Sequence, residues 1–150
     1  GQISGPIPED IGNCSELRNL YLYQNSISGS IPRQIGNLKK LQNLLLWQNS
    51  LVGTIPDELG SCTELAVVDF SVNLLTGSIP RSFGNLLKLQ ELQLSVNQLS
   101  GTIPPEITNC TALTHLEVDN NGITGEIPSL IGNLKSLTLF FAWQNNLTGS

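Results

Sequence analysis

His115, Glu117 and Asp119 occupy alternate positions of one short segment, and Asp69 and Glu91 stand whole multiples of 24 residues before Glu117 and His115 (117 − 69 = 48; 115 − 91 = 24). Carboxylates and an imidazole on one face of a strand are the residue types of acid–base catalysis and of metal ligation. Neither chemistry is expected here. The chain has a single His, no His-centred metal motif and no nucleophile elbow, and a strand spreads the three side chains apart. An open sheet also excludes little water, which most active sites need. The pattern around these acids points to binding instead. Tyr21, Tyr23, Leu45 and Trp47 precede them and Phe141 and Trp143 follow, so both Trp and both Tyr of the chain bracket the acidic block. Exposed aromatics of this kind are enriched at binding hot spots.

The element that positions these residues is a repeat. The segment 41–56, LQNLLLWQNSLVGTIP, reads L-x-x-L-x-L-x-x-N-x-L-x-G-x-I-P. Its Asn49 has counterparts at Asn25, Asn73, Asn97, Asn121 and Asn145, every step being 24 residues (49 − 25, 73 − 49 and so on) with no insertion. A fixed period of this length, with leucines around an Asn, predicts a leucine-rich-repeat solenoid. The expected architecture is α/β-type. A parallel sheet lines the concave face, and irregular or 3-10 return segments form the convex side. Side chains alternate along each strand, so Leu44 and Leu46 point inward while Asn43, Leu45 and Trp47 point outward. The inward set recurs as Leu20/Leu22, Val68/Phe70, Leu92/Leu94, Leu116/Val118 and Phe140/Ala142. A second inward set, from Ile27/Ile31 to Ile123/Ile127, comes from the return path. The Asn column is expected at the corner where the chain leaves the strand. There an Asn side chain can bond to its own turn and to the next one.

Written as columns, the outward face runs Asn19, Asn43, Val67, Glu91, His115, Leu139, then Tyr21, Leu45, Asp69, Gln93, Glu117, Phe141. The third column is Tyr23, Trp47, Ser71, Ser95, Asp119, Trp143, and the fourth is Gln24, Gln48, Val72, Val96, Asn120, Gln144. The candidate ligand-binding residues are Tyr21, Tyr23, Leu45, Trp47, Asp69, Glu91, Gln93, His115, Glu117, Asp119, Phe141 and Trp143. The acidic middle predicts a basic ligand segment. No metal and no cofactor are expected.

The net charge of −5 and a pI near 4.6 disfavour a nucleic-acid partner. No apolar run is long enough to span a membrane and no stretch reads as a signal peptide. Cys14, Cys62 and Cys110 are two repeats apart, and Leu38, Leu86 and Leu134 fill the same position in the alternate turns. Equivalent atoms two turns apart are about 10 Å from each other, too far for a disulfide. Three buried free thiols in place of leucine are expected. Glu16, Lys40, Glu64 and Lys88 alternate in sign along one flank, as do Glu9/Asp10, Arg33, Asp57/Glu58, Arg81 and Glu106 along another. N-x-[ST] sequons at Asn13, Asn109 and Asn146 lean towards a secreted, glycosylated chain. Gly1 falls at the ladder position and Ser150 aligns with Ser30. The expectation is a single solenoid segment of about six repeats, residues 1–150, uncapped at both ends and cut from a longer array.

The L-x-G-x-I-P element, present as ISGSIP, LVGTIP, LTGSIP, LSGTIP and ITGEIP, resembles the plant-specific leucine-rich-repeat class. That class includes receptor-like kinase ectodomains and the polygalacturonase-inhibiting proteins. LLLWQN, FFAWQN, LQELQLSVNQLSGTIP and LTHLEVDNNGITGEIP are similar to the peptide-hormone receptor subgroup, and above all to the root meristem growth factor receptors. The resemblance implies a binding module rather than an enzyme, on the extracellular side of the plasma membrane. It would take a secreted peptide on its inner face and recruit a co-receptor kinase ectodomain. A transmembrane helix and a kinase domain would lie outside this chain. The Arg-x-Gly-Gly and Arg-x-Arg motifs that hold peptide ends in relatives are absent, since Arg18, Arg33 and Arg81 lack the residues that should follow. No island insertion interrupts the period, so a steroid pocket of the brassinosteroid-receptor type is not expected. Two other readings use the same fold: a secreted inhibitor of a cell-wall-degrading enzyme, and an assembly module without a ligand of its own.

Overall fold

The computed structural model describes residues 3–149, so the alignments drawn for Gly1 and Ser150 lie outside the described residues. Each L-x-L segment forms a three-residue strand: Asn19–Tyr21, Asn43–Leu45, Val67–Asp69, Glu91–Gln93, His115–Glu117 and Leu139–Phe141. The six strands pair in sequence order as one parallel sheet. Every residue faces its counterpart one repeat on, as in Leu20 with Leu44 and Asp69 with Gln93. Hydrogen bonding continues past the strand ends, from Val72 N to Ser95 O at 2.9 Å and Val96 N to Asp119 O at 3.1 Å. The chain then bends inward through one left-handed residue per turn. These are Gln24, Gln48, Val72, Val96, Asn120 and Gln144, all with φ between 54 and 58°.

The ladder Asn follows immediately and satisfies the corner. Asn73 Nδ2 donates to Phe70 O of its own turn and to Leu46 O of the preceding turn, each at 3.0 Å. Its Oδ1 accepts from Leu51 N, also at 3.0 Å. Asn49, Asn97, Asn121 and Asn145 repeat this arrangement. The ladder therefore reaches back to the preceding turn rather than on to the next, because the unpaired corner groups within reach belong to the turn before.

On the return path, the Gly of L-x-G-x-I-P is left-handed in every turn, with φ from 72 to 94°. Only glycine adopts this conformation without strain. A five-residue 3-10 turn follows each Ile-Pro, from Glu9–Asn13 to Ser129–Asn133. The return path also carries a broken second ladder that the sequence reading did not contain. Ser4–Pro6 pairs with Ser26–Ser28 and Thr124–Glu126 with Asn146–Thr148, while single bridges join Ser30 to Val52 and Thr54 to Thr76.

The 3-10 turns stack closely because a glycine stands between them. A Cβ placed on Gly12, Gly36, Gly60 or Gly84 would come within 2.5 to 3.0 Å of the next turn, its backbone carbonyl included. Thr108 takes the fifth glycine's place, its Oγ1 donating to Pro105 O at 2.7 Å. There the last two 3-10 turns approach less closely than any other neighbouring pair among the described residues.

The core is one continuous column of the expected Leu, Ile, Val and Phe side chains. Cys62 and Cys110 are buried in it, like Leu38 and Leu86, but Cys14 is exposed, contrary to expectation. The buried thiols lie against a preceding turn, donating to Ile35 O at 3.3 Å and Phe83 O at 3.1 Å. No turn among the described residues precedes Cys14 to cover it. Similarly, Ile127 is 39% exposed and Phe140 and Ala142 are half-buried, because no later turn among the described residues covers them. The alternating flank charges form Lys40–Glu16 and Lys88–Glu64 pairs at 2.7 Å and an Arg81–Glu106 pair at 3.2 Å. Such exposed pairs contribute at most about 1 kcal/mol each. Among the described residues no helix is long and apolar enough to cross a membrane.

Candidate functional site

The sheet register places the candidate residues on one open face. Tyr23 and Trp47 are equivalent residues of adjacent turns, so their rings lie parallel, with centroids 4.8 Å apart and 1° between planes. Tyr21 leans against Tyr23 at 6.4 Å, and Leu45 is half-buried beside them. At the other end Phe141, the last residue of its strand, and Trp143, two residues on, meet at 4.5 Å and 46°. Tyr21 and Trp143 are more than half exposed.

Between these pairs the acids are connected rather than scattered. With its amide nitrogen turned towards the carboxylates, Gln93 donates to Asp69 Oδ2 at 2.9 Å and to Glu117 Oε2 at 3.3 Å. Asp69 Oδ1 also accepts from Ser71 N at 3.0 Å. Burial raises the pKa of Asp69, with the Glu91 charge adding to it and the bonds from Ser71 opposing. Burial raises that of Glu117 as well, reinforced by the charges of Asp119, Asp69 and Glu91 and opposed by His115. His115 Nδ1 lies 3.7 Å from Glu91 Oε1 and 2.8 Å from Thr114 Oγ1. Among the described residues no group of three His, Cys, Asp or Glu side chains is placed to hold a metal ion.

Asp119 departs from the reading of it as an open contact residue, being only 5% exposed. Ser95 Oγ donates to its Oδ1 at 2.5 Å and Asn120 Nδ2 to its Oδ2 at 2.9 Å. The small serine of the preceding turn leaves room for the carboxylate and draws it into the floor of the face. The third column is therefore low between Trp47 and Trp143: Ser71 and Ser95, then the tied-down Asp119. The result is a trough with an aromatic wall at each end and Asp69, Gln93 and Glu117 along one bank.

The other bank holds residues absent from the candidate set. Val72 and Val96 are each 44% exposed and left-handed. Their signal was in the sequence: a β-branched residue at a position filled elsewhere by Gln or Asn. The sequons lie off this face. Asn13 and Asn109 end 3-10 turns, Asn146 begins a return strand, and all three are exposed.

Five stretches of the chain, 16–38, 40–62, 64–86, 88–110 and 112–134, match the family model described as Leucine Rich Repeat. Among solved structures, the chain is similar to a plant peptide hormone receptor, RGFR1, in complex with RGF2. The identity is 77% and the TM-score 0.97, over 98% of this chain and 24% of that one. It is similar to PEPR1 in the PEPR1–AtPEP1 complex at 38% identity and TM-score 0.94, over 98% of this chain and 21% of that one. A third is the Arabidopsis receptor kinase HAESA, in complex with the peptide hormone IDA and the co-receptor SERK1. There the identity is 32% and the TM-score 0.79, over 96% of this chain and 28% of that one. The chain thus spans between a fifth and three-tenths of the length of these three structures. The comparison with curated proteins returned no match.

Proposed function

This chain belongs to the leucine-rich-repeat family, in the class of plant receptor ectodomains, and from that premise we propose that it binds a secreted peptide hormone, in extended form, along its concave face. It acts as a binding module on the extracellular side of the plasma membrane, within a receptor that recruits a co-receptor ectodomain. The observation that carries this reading is the negatively charged trough closed at both ends by aromatic pairs. Such a shape suits a narrow, flexible chain better than a broad folded surface. Six strands about 4.8 Å apart make a face about 24 Å long, room for about seven extended residues at about 3.3 Å each. Apolar ligand side chains pack against Tyr23/Trp47 and Phe141/Trp143, and a basic segment crosses Asp69, Glu91 and Glu117. The three sequons, all off the face, are glycosylation sites that leave the track clear.

Titration calorimetry with the RGF2 peptide tests this. Trp47→Ala and Trp143→Ala should each weaken binding by about 2 kcal/mol or more if they are hot spots. Lys40→Ala, on the flank, should leave binding unchanged. Wild-type affinity in both Trp variants would place the ligand elsewhere.

A further inference from the structure

Val72 and Val96 adopt φ of 58° and 57°, a backbone conformation that β-branched side chains rarely take. Burial does not offset the strain, because both side chains stand half open to solvent. The equivalent positions in the other turns carry Gln24, Gln48, Asn120 and Gln144. Asn in particular is tolerated in this region. The two valines therefore gain nothing for the fold that a polar residue would not give. Opposite, across the serine floor, Asp69 and Glu117 form the charged bank, bridged by the neutral Gln93.

Resting on the reading of this face as a peptide track, we propose that Val72 and Val96 are specificity-determining residues that select a ligand segment presenting aliphatic side chains on one side and cationic side chains on the other. In an extended peptide, successive side chains point to opposite sides of the backbone. A segment lying over Ser71 and Ser95 sends alternate side chains to the carboxylates and to the valines. The class of ligand is thus an extended peptide with alternating cationic and aliphatic residues in its middle. Charge complementarity fixes the cationic half, and the unburied, strained valines fix the aliphatic half.

The test uses the whole chain and three blocked synthetic hexapeptides: alternating Arg-Val, alternating Arg-Ser and alternating Ser-Val. The Arg-Val peptide should bind most tightly. The double variant Val72→Asn/Val96→Asn should lose about tenfold in its affinity for that peptide, the worth of partly burying a valine side chain. Its affinity for the Arg-Ser peptide should not change. Its thermal midpoint should hold or rise, since Asn relieves the backbone strain. Equal wild-type affinity for the Arg-Val and Arg-Ser peptides would overturn the role given to the valines while leaving the track itself in place. A fall in the thermal midpoint of the variant would do the same, by showing that the valines serve the fold. If no hexapeptide binds and RGF2 titrations are also insensitive to Trp47→Ala and Trp143→Ala, the track reading fails and this inference with it.

Discussion

The Cys110 thiol is pushed up to about 11 by burial, and burial raises that of Cys62 as well. Only the thiolate attacks an alkylating reagent, so both should be inert in the native state. Cys14 is exposed and should react. Native labelling followed by mass measurement should find one fast thiol, with two more appearing only in denaturant. Three fast thiols would contradict the packing of Cys62 against Ile35 and of Cys110 against Phe83. Glu117 supplies a second prediction. Its folded pKa lies above its unfolded value, so the folded state holds that proton more tightly. Its contribution to stability therefore falls as pH rises through this window and returns as pH drops. Glu117→Gln removes the repulsion from Asp69, Glu91 and Asp119. The urea midpoint of the variant should exceed that of the wild type at neutral pH, and the gap should close once Glu117 is protonated. A lower midpoint at neutral pH would mean that the carboxylate is net stabilising.

Within one turn, the corner and the 3-10 segment carry the tightest constraints. Asn73 is buried and closes bonds to Leu51 N, Leu46 O and Phe70 O, so Asn73→Ala should cost about 1–3 kcal/mol in denaturant titrations by leaving those groups unpaired. A Cβ on Gly60 would sit 2.5 Å from Ser82 Cβ and 2.6 Å from Ser82 O, so Gly60→Ala should destabilise by about 1–3 kcal/mol. An unchanged thermal midpoint for this variant would refute the close stacking of the 3-10 turns. The sequence made the inward leucines, the Asn corner and the flank ion pairs legible, because each recurs at a period that only a stacked turn explains. The second ladder was not legible. Segments such as Ser-Ile-Ser and Thr-Gly-Glu are too short to show an alternation, and pairing across turns defines them. Asp119 was read as open because its column position is outward, while its burial depends on the Ser95 hydroxyl one turn away and on Asn120 beside it. Val72 and Val96 were placed in the right column, but nothing local revealed that this column is left-handed.

Over the whole molecule, no turn buries its leucines alone, so neighbouring turns stabilise one another. The strands stack uniformly on the concave side, while the convex side carries the broken second ladder and, at Thr108, a break in the glycine column. The uniformity matters for anything lying along the face. Turns recur about every 4.8 Å, while an extended peptide returns to the same side about every 6.7 Å. The two scales work as a vernier: they come back into step only after about seven turns, roughly 34 Å. Across the six strands here the phase between ligand and turn never repeats. A regular core therefore requires an irregular surface, because each turn meets a different part of the ligand and must carry its own outward residues.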